Sequence, residues 1–190
     1  MIKAIIFDCF GVLVTDGLEA VMSERKTSDE DKQKIMQLVV SVNKGSIDIE
    51  SYRTAVASIL DISAKQYAEM VKNNEVKNQS LLDYIGELRQ TYKIGMLSNV
   101  SSLENLLSRF EKDELSKYFD TVIASGKIGF AKPEAQAYEI TADDLAVRLN
   151  ECVMIDDREE YCQGAIGVGM QAILYQSFGQ MKIELEKLTK

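Results

Sequence analysis

The sequence predicts an α/β fold: a doubly wound parallel sheet covered by helices on both faces, with an α-helical unit inserted after the first strand. Three observations predict it. Short apolar runs, 4-AIIF-7, 93-KIGML-97, 121-TVIA-124, 152-CVMI-155 and 170-MQAIL-174, recur between turn signals, and continuous apolar runs fit strands buried on two sides. Helical patterns separate the later runs, and strands alternating with helices give a parallel sheet. Between the first two runs, helices follow one another over far more chain than the dozen or so residues a crossover needs.

The elements follow in order. The first run ends on Asp8. Residues 16–79 form the insertion, leaving 1–15 and 80–190 as the core. Within the insertion Ile35, Leu38, Val39 and Val42 recur at helical spacing, and Tyr52, Ala55, Val56, Ile59 and Leu60 repeat the pattern. Ser63-x-x-Gln66 reads as a capping box, with Ile62 and Tyr67 placed for a hydrophobic staple. In the core, Pro133 precedes a helical face of Tyr138, Thr141, Leu145 and Leu149 and suits a first helical turn. Ser177-x-x-Gln180 reads as a second capping box, opening a C-terminal helix.

Composition removes several functions. A chain of 190 residues holds one domain with a full core plus a modest insertion. Thirty acids against 22 bases give net −8, a balance that repels nucleic acid and anionic membrane. No apolar run approaches the ~20 residues that span a bilayer, and Asp8 comes too early for a signal peptide. Cys9, Cys152 and Cys162 form no close-spaced pair, so a soluble chain of the reducing cytoplasm is predicted. Histidine is absent. That excludes Ser-His-Asp and Cys-His mechanisms and histidine-ligated zinc, leaving carboxylates, lysine, hydroxyls, thiols or a hard metal.

In open parallel sheets the working groups gather where strands end. The strand ends supply Asp8, Ser98 with Asn99, Lys132 ahead of Pro133, and Asp156 with Asp157. Singly, each has a plain reading: a turn acid, a helix cap, a solvated lysine. Together they place three acids, one lysine, a hydroxyl and an amide on one sheet edge. Carboxylates so close need positive charge among them; Lys132 supplies part, and a hard cation such as Mg²⁺ would supply the rest. The matching client is a phosphoryl group, with Ser98 and Asn99 on its oxygens and Asp8 placed to attack phosphorus.

With those residues in view, the chain resembles the haloacid dehalogenase-like hydrolases. Four stretches match the family's motifs in order: 4-AIIFDCFGVL-13, 94-IGMLSN-99, 127-KIGFAKP-133 and 152-CVMIDD-157. The tail 163-QGAIGVGMQAILY-175 is also similar. The resemblance implies a Rossmann-like core with a helical cap that closes over the site and selects substrate. It further implies Asp8 as nucleophile, Ser98 and Lys132 on the phosphate, and Mg²⁺ held by Asp8, the backbone carbonyl of Phe10, and the acid pair. Side chains alternate along a strand, so Asp157 is expected as the direct ligand and Asp156 behind it. The implied partner is a small phosphorylated molecule.

Two positions depart from the family pattern. Phe10 stands where the family's phosphatases carry an Asp that protonates the leaving group. A hydrocarbon ring has no proton to give, and that help is typically worth ~10²–10⁴ in rate. Tyr161 stands where the family has Asp or Asn, with Glu160 or Asn99 as possible compensation. The 2-haloacid dehalogenases also carry an aromatic residue at the first position and bind a substrate carboxylate through a cap arginine, for which Arg25 and Arg53 are available. A degenerate binding module is the third reading. The spacing Cys152-x5-Arg158 imitates a cysteine phosphatase, but two acids inside the loop would repel phosphate.

Overall fold

The computed structural model describes residues 1–43, 45–111 and 113–189. Five strands, β1 (Ala4–Phe7), β2 (Lys93–Ser98), β3 (Thr121–Ala124), β4 (Cys152–Asp156) and β5 (Gln171–Leu174), form one parallel sheet in the order β3-β2-β1-β4-β5. All five predicted strands are present. Their alternation explains the unbroken apolar runs. Ile5, Phe7, Ile94, Met96, Val153 and Ile155 face one apolar cluster, while Ala4, Ile6, Leu97, Cys152 and Met154 face a second on the opposite side. Every residue of β1 is fully buried, and each such Ile or Phe contributes about 1.5–3 kcal/mol of apolar burial.

The chain after β1 runs into α1 (Gly17–Glu24), α2 (Asp29–Asn43), α3 (Ile49–Ile59) and α4 (Ala64–Asn74). Their starts are capped locally: Asp16 accepts from the Leu18 and Glu19 N–H groups, and Asp48 from those of Glu50 and Ser51. Both halves of the Ser63–Gln66 capping box form. The helices share their own apolar cluster, built on Val21, Ile35, Val42, Tyr52, Val56 and Tyr67 with Ile62 against it. Two strips of chain connect this unit to the sheet side by side. Thr15 N donates to Val76 O (3.0 Å) and Asn78 N to Leu13 O (2.8 Å), and Val14 bridges Lys77 antiparallel.

The core continues with α5 (Gln79–Leu88), α6 (Leu103–Leu107), α7 (Glu114–Tyr118), α8 (Ser125–Ile128), α9 (Ala135–Asp144), α10 (Glu159–Gly167) and α11 (Phe178–Thr189). Two sequence expectations are corrected here. Pro133 lies in a turn, and α9 begins two residues later behind the N-cap Glu134. The Asn99 side chain takes up both backbone polar groups of Lys132, which fixes the turn before the helix can start. At its other end α9 stops at Asp144, before the left-handed Ala146 (φ 56), so Leu149 sits in a separate 3-10 turn while still packing on the core. The second correction is at α11. Gln180 N donates to Ser177 Oγ (3.3 Å), but the Gln180 side chain accepts from Gln176 N (3.1 Å), so only half of a capping box forms.

Candidate active site

The sheet order reverses direction at β1, and the loops leaving its C-terminal edge there form a natural crevice. Phe7 pairs with Met96 on one side and Ile155 on the other, so Asp8, Ser98 and Asp156 emerge together at that edge. Asp8 N donates to Ile155 O at 2.9 Å, tying the residue to β4 as it leaves the strand.

Lys132 joins them from the turn before α9. Its Nζ donates to Asp8 Oδ1 at 2.7 Å and to Asp156 Oδ2 at 2.5 Å. All three side chains are buried. Carboxylate oxygens of Asp8, Asp156 and Asp157 lie within 4.8 Å of one another. Burial first, and then the charges of Asp156 and Asp157, push Asp8 up to about 7 despite the opposing pull of Lys132. Burial and Asp156 likewise push Asp157 up to about 6. Burial works against the charge on Lys132, but Asp8 and Asp156 more than offset it and hold the ammonium above its ordinary range. Such a cluster of hard oxygens, short of positive charge, suits a hard divalent cation.

The two neighbouring acids differ in what they touch. Asp156 gives one oxygen to Lys132 and the other to Arg158 N–H at 3.0 Å, which makes it a strut. Asp157 is half-buried and lies across the loop from Gly11. Gly11 has φ +89, and a Cβ there would sit 2.2 Å from Asp157 Oδ2. Only glycine admits that carboxylate. Gly11→Ala is therefore expected to displace the Asp157 carboxylate and, if that carboxylate holds a divalent ion, to weaken Mg²⁺ binding by about 10–100-fold, read from the Mg²⁺ dependence of the melting temperature. Gly169→Ala, at φ +94 with open space around it, is the control for backbone strain and should leave Mg²⁺ affinity unchanged.

Ser98 Oγ is buried and has no hydrogen-bond partner among the described residues. An unsatisfied buried polar group costs about 1–3 kcal/mol, so this hydroxyl is suited to a ligand oxygen. The Asn99 amide donates to Lys132 O and accepts from Lys132 N, each at 2.9 Å, so the side chain holds the lysine turn while the residue lines the cavity beside Ser98. Glu160 is exposed and outside the acid cluster.

A cavity of about 560 Å³ opens above these groups, floored by Asp8, Phe10 and Ser98 and roofed by helical-unit residues such as Val39, Tyr52 and Tyr67. Three of its contributors were not legible as site residues. Arg109 lies with its guanidinium 5.6 Å from the centre of the Phe10 ring and gives its fork to Glu75, with both nitrogens at 3.0 Å. Arg158 lines the same wall. Glu75 and Arg109 reach the site through tertiary contacts that no local pattern announces, whereas Arg158 adjoins Asp157 in the chain and only its place beside Tyr161 is set by the fold. Gly11 had a readable signal, a glycine soon after a strand-ending acid. Of the two cap arginines, Arg25 is spent on Leu60 O (3.1 Å) inside the helical unit, and Arg53 lines the cavity paired to Glu50.

Fold and site define a parallel α/β sheet with three carboxylates and a buried lysine gathered at its switch point. The chain belongs to the haloacid dehalogenase-like hydrolases, a family that matches residues 2–169. It is 28% identical over 203 residues to a phosphatase of Mycobacterium tuberculosis, covering 95% of this chain and 90% of that protein. It is 23% identical to the fructose-1-phosphate phosphatase of Escherichia coli, covering 74% and 70%. A match at 40% identity to the bifunctional epoxide hydrolase 2 of Rattus norvegicus spans 40% of this chain and only 14% of that protein. Among solved structures, an enzyme of the family from Bacteroides thetaiotaomicron in complex with magnesium and inorganic phosphate superposes with TM-score 0.75. That match is 21% identical and covers 95% of this chain and 99% of that one. Among the described residues no helix is long and apolar enough to cross a membrane.

Proposed function

We propose that the protein is a Mg²⁺-dependent phosphatase acting on a small phosphorylated molecule through an aspartyl-phosphate on Asp8. The observation that carries this reading is the cluster of three carboxylates around the buried ammonium of Lys132, with an unsatisfied Ser98 hydroxyl at the same sheet edge. Asp8, the Phe10 carbonyl and Asp157 would hold the ion, with Asp156 steadying Lys132 behind them. Bound there, Mg²⁺ would supply positive charge against the phosphoryl oxygens. The helical unit, residues 16–79, serves as a cap over the cavity.

The chain's own groups account for the rest. Ser98 and Lys132 orient the phosphoryl group. Lys132 lowers the cost of ionising the buried Asp8, so that a carboxylate oxygen can attack phosphorus. The bond from phosphorus to the leaving oxygen breaks, and its electron pair stays on that oxygen. Water then cleaves the acyl phosphate, releasing inorganic phosphate and restoring Asp8. At Phe10 no proton is available to the leaving oxygen.

Leaving groups that depart as stable anions should therefore be favoured. Acetyl phosphate and p-nitrophenyl phosphate are expected to turn over about 10²–10⁴ times faster than alkyl phosphates, and EDTA should stop both reactions. Phe10→Asp should narrow the gap by raising alkyl phosphate turnover. Turnover that persists in EDTA would overturn the reading, and chloride release from 2-chloropropionate would replace it with dehalogenation. A folded Phe10→Asp variant with no gain would remove proton transfer as the missing step.

A further inference from the structure

Arg158 directly follows Asp157 and precedes α10. Its backbone N–H is spent on Asp156. The side chain lies half-buried in the cavity wall, with its guanidinium 5.7 Å from the centre of the Tyr161 ring. Lys132 Nζ faces the same ring at 5.1 Å, and the ring's own backbone is fixed because Tyr161 O accepts from the Tyr138 hydroxyl at 2.7 Å. Tyr161 thus carries two cations of the site. Among the other cations lining the cavity, Arg109 is matched to Glu75, Arg53 to Glu50 and Lys77 to Glu114, while Lys72 has no acid partner among the described residues. Among the described residues no carboxylate or carbonyl accepts from the Arg158 guanidinium. The charges of Asp157, Asp16 and Asp8 reach it without bonding it.

We propose that Arg158 is a phosphoryl-binding residue, its fork donating to oxygens of the substrate's phosphoryl group while Tyr161 positions the guanidinium by stacking. A guanidinium presents parallel N–H groups that match phosphate geometry, and its flat face rests well on an aromatic ring. The inference rests on the phosphatase reading and deepens it. Tyr161 then stands as a shelf for Lys132 and Arg158, in place of an acid at that position.

The test is calorimetric and needs no turnover. Inorganic phosphate and vanadate are titrated into Mg²⁺-saturated wild type, Arg158→Ala, Arg158→Lys and Tyr161→Leu, and Mg²⁺ is titrated separately without phosphate. Arg158→Ala should weaken both anions by about ten- to a hundredfold. Arg158→Lys, which keeps the charge and loses the fork, should recover part of that affinity. Tyr161→Leu should weaken the anions by about two- to tenfold. Mg²⁺ affinity should hold or rise in Arg158→Ala, because a positive charge beside Asp157 has gone. Anion affinity equal to wild type in Arg158→Ala overturns the inference. So does a parallel loss of Mg²⁺ affinity, which would make Arg158 a support for Asp157. Hydrolysis of p-nitrophenyl phosphate by the wild type judges the underlying reading separately. If the wild type turns over while Arg158→Ala binds phosphate normally, the inference alone falls. A wild type that neither hydrolyses nor binds phosphate ends both.

Discussion

Asp8→Asn is expected to lower turnover of p-nitrophenyl phosphate by about 10⁴-fold or more, because in the proposed mechanism it removes the nucleophile and with it the covalent route. The change is nearly isosteric. Lys132 keeps Asp156 as its partner at 2.5 Å, so the fold should survive. A cooperative melting transition near that of the wild type would separate lost chemistry from lost structure. Inorganic phosphate should still bind, since Ser98 and Lys132 remain.

The largest effect on stability should come from Lys132→Met. The substitution leaves Asp8 and Asp156 buried against each other without the ammonium that now bonds both. Removing one partner of a buried ion pair costs about 3–5 kcal/mol, which for a chain of this size lowers the melting temperature by about 6–20 °C. The pH dependence follows from the carboxylates. Asp8 at about 7 and Asp157 at about 6 lie above the ordinary 3.8 of an unfolded chain. Between these values the folded state binds more protons than the unfolded one, so metal-free stability falls as pH rises through that window. Loss of Lys132 removes the pull that lowers Asp8 and pushes its carboxyl higher still. The penalty of Lys132→Met should therefore be greatest above pH 7 and shrink towards pH 5, where Asp8 takes up a proton. Melting curves of both proteins across that range, without metal, would measure it. A penalty independent of pH would mean that Lys132 contributes packing and no charge compensation.

Much of this architecture is written in local sequence. The strands were legible because a buried parallel strand needs apolar residues on both faces, and Ile5, Phe7, Ile94 and Met96 fill one face while Ala4, Ile6 and Leu97 fill the other. The acid, lysine and hydroxyl groups were legible because strand ends are few and chemistry gathers there. What stayed hidden depends on contacts distant in sequence. The Asn99 side chain reads as a phosphate ligand, and its bonds to the backbone of Lys132 become visible only in the fold. Pro133 reads as a helix start until that same amide fixes the turn ahead of it. Arg109 and Glu75 belong to different segments and meet only above Phe10. Arg158 was visible in the chain but matched an unrelated phosphatase spacing, and its place beside Tyr161 depends on how α10 leaves the sheet.

The most direct test of the account is to trap the covalent step. Protein mixed with acetyl phosphate and Mg²⁺ is quenched in acid during turnover and mapped by peptide mass spectrometry. One phosphoryl group is expected on the peptide containing Asp8, absent in EDTA and absent from Asp8→Asn. A phosphoryl group on any other residue, or full turnover by Asp8→Asn, would contradict it.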